Sequence, residues 1–283
     1  MDAESLTHRA EVRRILAEMG VRPSKRLGQN FLVDPTAVSA IRDAAAALHP
    51  KRIVEIGPGL GAVTSALADL GATVTAVEVD HRLAERLQGE AEKLPHVTIL
   101  RADALAYDFE STETAGRCVV VGSIPYSITA PLLKHLVDHR KQVSAAILVT
   151  QREVAEKIQA SPGPGGSALG VMIQAYAEVS IVRRVSRGAF LPVPEVDSSL
   201  WTMRFRETPA FRAEDAHFFG VVRAVYGKRR KMLRASLKAL TEGEVVADAL
   251  ERAQIDPTLR GEALSLDDLD RLTLALAEAG VFG

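Results

Sequence analysis

The sequence predicts an α/β fold. A mostly parallel sheet is covered by helices on both faces, an antiparallel hairpin closes one edge, and a small all-helical domain follows. Three observations carry this reading. Strand-like and helix-like runs alternate from residue 52 to residue 160, the rhythm of consecutive βαβ units. A glycine-rich turn stands between the first of these strands and its helix. Beyond Thr208-Pro209 the hydrophobic spacing is helical only, which places a domain boundary at 207/208 and gives domains of 1–207 and 208–283.

Each element has its own signal. Val12, Ile15, Leu16 and Met19 share one face of a first helix that Gly20 closes. Residues 22–32 are basic and loop-like. Asp34 caps the next helix and Pro35 takes its first position, where a missing N–H is harmless. Strands are expected over 52–56, 73–79, 97–100, 118–121 and 145–150. Helices follow these over 62–70, 81–94, 131–139 and 152–160. The Ser161-Pro162-Gly163-Pro164-Gly165-Gly166 stretch reads as a flexible break. Runs 179–185 and 198–205, joined by a Pro-rich loop, form the expected edge hairpin.

Composition narrows the class. The 283 residues are 47% hydrophobic and 25% charged, an ordinary globular balance. No apolar run is long enough to cross a bilayer as a helix. Asp2 and Glu4 without an apolar segment speak against a secretory signal, and a cytoplasmic location is expected. Cys118 is the one cysteine; it forms no internal disulfide and reads as a small core residue. Charge is uneven. Residues 181–240 hold 13 Lys/Arg against 5 Asp/Glu, whereas residues 241–283 hold 3 against 10. The basic segment is a candidate polyanion footprint, although such runs are commonly solvated faces.

The Gly57-Pro58-Gly59-Leu60-Gly61 turn follows a strand and opens a helix, so free N–H groups and close backbone approach are available to a ligand. Glu78 ends the next strand, where an acid can accept two ribose hydroxyls. The spacing differs from the dinucleotide pattern and the turn has no basic residue for a pyrophosphate. S-adenosylmethionine (SAM) therefore fits this Rossmann-like sheet better than NAD; a purely structural turn is the bland alternative. Asp103 is placed to meet an exocyclic adenine amine, or else caps a helix. The stretch from Ser123 to Thr129 ends a strand in Ser-Ile-Pro-Tyr, with Pro131 soon after. Fixed carbonyls and the Tyr126 ring suit a flat, amine-bearing base. His135 and His139 are spaced for a metal but lack a third ligand, so no metal site is expected and surface histidines are favoured. Arg52 and Arg101 read as solvated charges.

Taken in order, Gly28-Gln29-Asn30-Phe31-Leu32, Glu55-Ile56-Gly57-Pro58-Gly59-Leu60-Gly61, Glu78-Val79-Asp80, Asp103-Ala104, Ile124-Pro125-Tyr126 and the run from Phe190 to Leu200 resemble the ribosomal RNA adenine dimethyltransferases. Tyr226-Gly227-Lys228-Arg229-Arg230-Lys231-Met232-Leu233 and Arg260-Gly261-Glu262-Ala263-Leu264-Ser265 favour the bacterial small-subunit branch over the large-subunit resistance branch. The resemblance implies transfer of two methyls to each of two adjacent adenosines near the 3′ end of 16S rRNA, within an immature 30S particle. It implies that Gln29, Asn30 and Leu32 close over the methionine end of SAM. Gly57, Gly59 and Val79 would line its site, Glu78 would hold the ribose, and Asp103 and Ala104 would meet the adenine. Tyr126 would stack on the target base with Phe190 beside it. The side chain at 123 and the Ile124 carbonyl, held by Pro125, would accept the amine hydrogens. A monomer is expected.

One residue departs from the pattern. Position 123, usually Asn in the family, is Ser here. A hydroxyl still accepts a hydrogen bond but reaches less far. Weak activity, or a role as an RNA-binding assembly factor, is the alternative from another class, and large-subunit methylation the alternative within enzymes. For the RNA, Lys25 and Arg26 near the site and Arg223, Lys228, Arg229, Arg230, Lys231 and Arg234 are the expected phosphate contacts. The last six, with Lys238, are expected in one helical region, several of them on one face, with Val222, Val225, Leu233, Leu237 and Leu240 on or near the other.

Overall fold

Runs of β-branched residues become the inner strands. The strands are β1 (Phe31–Leu32), β2 (Arg52–Ile56), β3 (Thr73–Glu78), β4 (Val97–Arg101), β5 (Cys118–Ser123), β6 (Val143–Gln151), β7 (Ala177–Val185), β8 (Phe190–Leu191) and β9 (Ser198–Phe205). The structure, a computed structural model, describes residues 5–94, 96–110, 116–227 and 231–282. Seven strands form one sheet in the order β4-β3-β2-β5-β6-β9-β7. The pairs among β4, β3, β2, β5 and β6 are parallel, and β9 runs antiparallel to β6 with Leu200 opposite Val149. β7 and β9 are neighbours at this edge, as the expected hairpin requires, with β9 on the inside and β7 outermost. A second, two-stranded sheet pairs Phe31 with Leu191 and Leu32 with Phe190.

The helices are α1 (Arg9–Glu18), α2 (Pro35–Ala46), α3 (Ala62–Ala68), α4 (His81–Ala91), α5 (Thr129–Asp138), α6 (Arg152–Gln159), α7 (Ala168–Tyr176), α8 (Asp215–Gly227), α9 (Leu233–Ser236), α10 (Gly243–Arg252) and α11 (Leu266–Glu278). Asp34 caps α2 as expected, its Oδ1 accepting the Thr36 N–H at 2.9 Å. Residues 118–122 are buried at every position, so β5 is covered on both faces. Val38 and Ile41 of α2 and Leu67 of α3 share a core with Val119, Val121, Ile147 and Val149. Ala84, Leu87 and Ala91 of α4 pack on Ala76 and Ile99. Trp201 is fully buried in β9, and its Nε1 donates to Thr150 Oγ1 at 3.0 Å. That bond removes the penalty of burying an indole N–H.

The chain divides into two compact units. One comprises Met1–Ala155 and Ser180–Phe205, the other Glu156–Val179 and Arg206–Gly283. Residues 156–179 therefore belong with the helices after residue 206, although they precede the 207/208 boundary read from the sequence. Side chains tie them there: Tyr176 Oη donates to Asp215 at 2.5 Å, and the Tyr176 ring meets Phe211 and Phe219. The stretch expected as a flexible break is anchored by the buried Ser161, whose Oγ donates to the Lys157 carbonyl at 2.7 Å. In this unit α8 and α11 supply Phe218, Val222, Val225, Leu269 and Leu276 to a buried core. Asp270 accepts the Arg212 and Ala213 N–H groups at 2.8 and 2.9 Å. Burial opposes its charge, but these bonds hold its carboxyl below the usual range.

Two solvated readings are corrected by the fold. Arg52 is only 5% exposed, and its Nη2 donates to the Phe109 carbonyl at 3.1 Å. His135 and His139 are half-buried. Their rings lie 4.3 Å apart beside Phe109, and His135 Nε2 meets the Tyr107 carbonyl at 2.9 Å. Among the described residues no group of three or more metal-ligating side chains comes together.

Candidate active site

The parallel strands bring their C-terminal ends to one edge of the sheet, where the topology of an open α/β sheet places ligands. A cavity of about 220 Å³ lies there. Gly57 and Gly59 line it after β2, Glu78 and Val79 after β3, Asp103 and Ala104 after β4, and Ser123, Ile124, Pro125 and Tyr126 after β5. Gln29, Asn30 and Phe190 complete the expected set on its wall. Leu32 stands apart from it. It is buried in β1 and lines a smaller adjoining hollow of about 50 Å³ with Asn30, Glu55, Gly57, Gly59 and Ser123.

The glycine turn is held by an acid. Gly57 and Gly59 adopt φ of 66° and 61°, a region that side chains with a Cβ avoid. A Cβ on Gly59 would also stand 3.1 Å from the Phe31 ring. The Gly59 N–H donates to Glu78 Oε2 at 3.2 Å, and the Asp80 N–H donates to Glu78 Oε1 at 2.9 Å. Burial nevertheless raises the Glu78 carboxyl above its ordinary value against these bonds. Asp80 is held low: burial opposes its charge, but bonds from Gln29 and Arg82 outweigh that. Gln29 spans two elements, donating to Asp80 Oδ2 at 3.0 Å and accepting the Ser24 N–H at 2.7 Å. It ties the basic loop to the start of α4, where Asp80 is the N-cap. Asp103 Oδ1 accepts the Leu105 N–H at 2.9 Å, an Asx turn that leaves Oδ2 to the cavity.

β5 is longer than the sequence indicated and ends on Ser123 itself, opposite Val149. The Ile124 N–H donates to the Val149 carbonyl at 2.9 Å. The Pro125 carbonyl accepts both the Ile128 N–H and the Thr129 hydroxyl at 3.1 Å, which fixes the 3₁₀ turn carrying Tyr126. Among the described residues no donor meets the Ile124 carbonyl, and Ser123 Oγ has no hydrogen-bond partner. Two acceptors therefore stand open at the point where Tyr126 faces the cavity.

Sequence reasoning passed over Phe31, Val149, Pro194 and Ser198, which also line the cavity. Phe31 lies inside the Gly28-to-Leu32 motif, and Pro194 and Ser198 inside the Phe190-to-Leu200 run, so all three were visible there; Val149 is brought to the cavity by the pairing of β6 with β5. Glu55 was likewise given no role. It is 2% exposed, its Oε2 has no partner, and burial pushes it up to about 8.

A family model described as ribosomal RNA adenine dimethylase matches residues 21–278. The chain belongs to the ribosomal RNA adenine dimethylase family. It is 38% identical to the ribosomal RNA small subunit methyltransferase A of Cutibacterium acnes over 99% of this chain and 97% of that one. The corresponding protein of Pelotomaculum thermopropionicum is 40% identical, covering 96% and 97%. Among solved structures, a dimethyladenosine transferase from Plasmodium falciparum superposes with a TM-score of 0.77 at 24% identity, covering 88% of this chain and 98% of that one. The 23S rRNA methyltransferase ErmE superposes at 0.71 with 28% identity, covering 88% and 100%.

The chain is thus an rRNA adenine methyltransferase that uses SAM. Its residues fit that cofactor. The glycine turn has open space over Gly57, Glu78 offers paired oxygens, and the turn carries no basic side chain for a phosphate. No helix among the described residues is long and apolar enough to cross a membrane.

Proposed function

We propose that this protein dimethylates two adjacent adenosines near the 3′ end of 16S rRNA, acting as a monomer in the cytoplasm on immature 30S particles. The observation that carries the reading is the pair of open acceptors, Ser123 Oγ and the Ile124 carbonyl, beside Tyr126 in the cavity that also holds Gly57, Gly59 and Glu78. The relatives named small subunit methyltransferase A support the choice of subunit.

Bound SAM supplies an electrophilic sulfonium methyl. The chain's residues do the rest. Glu78 would accept the ribose hydroxyls, Asp103 and Ala104 would meet the cofactor adenine, Val79 would cover it, and Gln29 and Asn30 would close the methionine end. The target base leaves its stack and lies on Tyr126, with Phe190 beside it. An adenine amine is a poor nucleophile because its lone pair is delocalised into the ring. Ser123 and the Ile124 carbonyl take the amine hydrogens and turn the lone pair out of the ring. The same fixed dipoles stabilise the positive charge that grows on nitrogen. Pro125, with its carbonyl doubly bonded, keeps that geometry. No strong base is required, since the methylated nitrogen is acidic enough to lose its proton to water.

Outside the catalytic unit, Arg223, Lys231, Arg234 and Lys238 are exposed and would contact rRNA phosphates. They do not share one helix: α8 ends at Gly227 and α9 begins at Leu233. Lys228, Arg229 and Arg230 lie outside the described residues. Val222, Val225, Leu233 and Leu237 are buried as expected, and Leu240 is half-buried.

Labelled SAM and unmethylated 30S particles test the proposal, with nucleoside analysis of the RNA. Dimethyladenosine on small-subunit RNA is the expected result. Dimethyladenosine on large-subunit RNA alone would overturn it, and SAM binding without transfer would leave the assembly-factor role.

A further inference from the structure

Glu55 and Ser123 share the smaller hollow beside the cavity. Glu55 lies on β2 opposite Val121 of β5, and the two strands are parallel. Ser123 stands two residues past Val121, so it projects from the same face of the sheet as Glu55. Ile53 and Val121, each two residues earlier on that face, are packed in the core. A strand spacing of about 4.8 Å and a two-residue rise of about 6.6 Å set the two Cα atoms about 8 Å apart on the diagonal. Glu55, Ser123 and Asn30 are the polar side chains on the wall of the hollow, and Leu6 and Val12 add apolar surface. Ser123 also lines the main cavity, so it stands between the two spaces.

The two groups have complementary needs. Glu55 is 2% exposed and its Oε2 has no partner among the described residues, a costly state for a buried carboxyl oxygen. Burial pushes Glu55 up to about 8, so near neutral pH it is mostly an uncharged acid. Ser123 has a different difficulty. A hydroxyl both donates and accepts, and its hydrogen rotates. Methyl transfer requires Oγ to accept an amine hydrogen. A hydroxyl that turned its own hydrogen to the amine would engage the lone pair that has to attack the methyl. A carboxamide oxygen, usual at this position in the family, carries no hydrogen and has no such failure. The hydrogen of Ser123 is harmless only when it points away from the cavity, which is the side of the hollow. The hollow, at about 50 Å³, exceeds the roughly 10–15 Å³ that one buried water needs. Such a water needs roughly two to four polar partners. Asn30 is the third on the wall, its Nδ2 donating to the Gly28 carbonyl at 3.1 Å.

We propose that Glu55 is a positioning residue for methyl transfer: through one water in the hollow it draws the Ser123 hydroxyl hydrogen away from the cavity and leaves the Oγ lone pairs to the target amine. Ser123 Oγ–H donates to the water, and the water donates to Glu55 Oε2. Both orphan groups are then satisfied by one molecule. This role rests on the amine-positioning reading above, and Glu55 acts through Ser123 rather than on the substrate. It also explains how a short hydroxyl serves where a carboxamide is usual: the rotor is fixed from behind.

A crystal structure of the full chain with bound SAM tests the bridge directly. A water within about 3 Å of both Glu55 Oε2 and Ser123 Oγ is the expected result. A dry hollow, or one filled by part of SAM, overturns the proposal. The effect on the reaction is read with Glu55→Leu, which removes the acceptor at similar volume, and Glu55→Gln, whose carboxamide oxygen still accepts. Each is made alone and together with Ser123→Asn. Alone, Glu55→Leu should slow single-turnover methylation of unmethylated 30S particles by about 3- to 10-fold, the size of one hydrogen bond. Glu55→Gln should keep most of the rate. Together with Ser123→Asn, Glu55→Leu should cost less than about twofold, because no hydroxyl is left to orient. SAM affinity should hold throughout. An equal loss with and without Ser123→Asn would mean that Glu55 serves packing alone, and a fall in SAM affinity would place it in the cofactor site; either overturns the proposal, as does an unchanged rate in Glu55→Leu. If Glu55→Leu does not fold, the crystal structure decides. A wild type that transfers no methyl fails the catalytic reading itself, whereas a wild type that transfers methyl over a dry hollow fails the bridge alone.

Discussion

The Gly59 N–H donates to Glu78 Oε2 at 3.2 Å, so the turn after the first inner strand is tied to the acid that ends the second. One carboxylate therefore shapes the turn and lines the cavity proposed for the cofactor. Glu78→Ala removes both functions. A charge-assisted bond is worth about 1.5–3 kcal/mol, which corresponds to roughly 10- to 100-fold in Kd for SAM. Calorimetric titration with SAM checks this, and an unaltered Kd in a folded variant would show that Glu78 does not hold the ligand.

Glu55 gives a pH dependence of stability. Burial pushes it up to about 8; the Thr64 hydroxyl beside it pulls the other way and the Glu78 charge adds to the rise. Below the ordinary carboxylate value of about 4.3 both folded and unfolded chains hold the proton, and Glu55 has no effect. From there to about 8 the unfolded chain has released the proton that the fold retains, so stability falls as pH rises. Above that window the loss is constant. Glu55→Gln cannot ionise. Its advantage over wild type should grow from under about 1 kcal/mol at pH 5 to a few kcal/mol near pH 8.5, at about 1.4 kcal/mol per pH unit. Urea unfolding at both pH values measures it; a difference that stays flat with pH counts against the buried neutral acid.

Gly261 meets Val225 with no room to spare. A Cβ at position 261 would lie 1.9 Å from Val225 Cγ1 and 3.0 Å from the Val225 carbonyl oxygen. Gly261→Ala should cost about 1–3 kcal/mol, the range for overpacking. Thermal melting should show a lower Tm, and adding Val225→Ala should restore part of it, because the side-chain clash goes and the carbonyl contact stays. A Tm equal to wild type in the single variant would mean that the two segments part without cost.

Ser123→Asn restores the residue usual in the family. Ser123 ends β5 with its hydroxyl unpartnered, and a carboxamide extends farther toward an amine. Single-turnover methylation should be faster in the variant with SAM affinity little changed, because the gain lies in positioning the target amine. An Asn variant no faster than wild type would show that side-chain reach at 123 does not limit the chemistry.

How much of this was legible follows from where the information lies. The inner strands could be read locally, because parallel strands buried on both faces are continuous β-branched runs such as Ile53-Val54 and Val119-Val120-Val121. β1 could not. Two residues show no period, and Phe31–Leu32 becomes a strand only through Phe190–Leu191, far along the chain. α7 was hidden for another reason: Ala168–Tyr176 has almost no polar face, so it lacks the amphipathic signal. Arg52 looked solvated because its partner, the Phe109 carbonyl, is a backbone atom that no spacing announces. Much of the cavity wall was legible because its residues sit at the ends of strands or in a glycine turn, and Gln29 and Asn30 because they stand in the Gly28-to-Leu32 motif. Val149 required the register of β6 on β5, which sets it opposite Ser123.

The loop that carries Gln29 is held against the catalytic stretch at one point. Gly28 has φ of 63°, and a Cβ there would stand 2.9 Å from the Pro125 Cβ. Gly28→Ala therefore meets two obstacles, a strained backbone and a proline that its own carbonyl bonds keep in place. The loop has fewer ties than β5, so the loop should move. Gln29 would then lose its bonds to Asp80 and Ser24, the first of which ties the loop to the start of α4. Global stability should fall by only about 1 kcal/mol, since a surface loop can relax. SAM affinity and kcat should both fall, because the same displacement opens the methionine end and loosens Pro125. Melting, SAM titration and single-turnover rates on one preparation separate these effects. Full activity in Gly28→Ala would show that the close approach to Pro125 plays no part in holding the site.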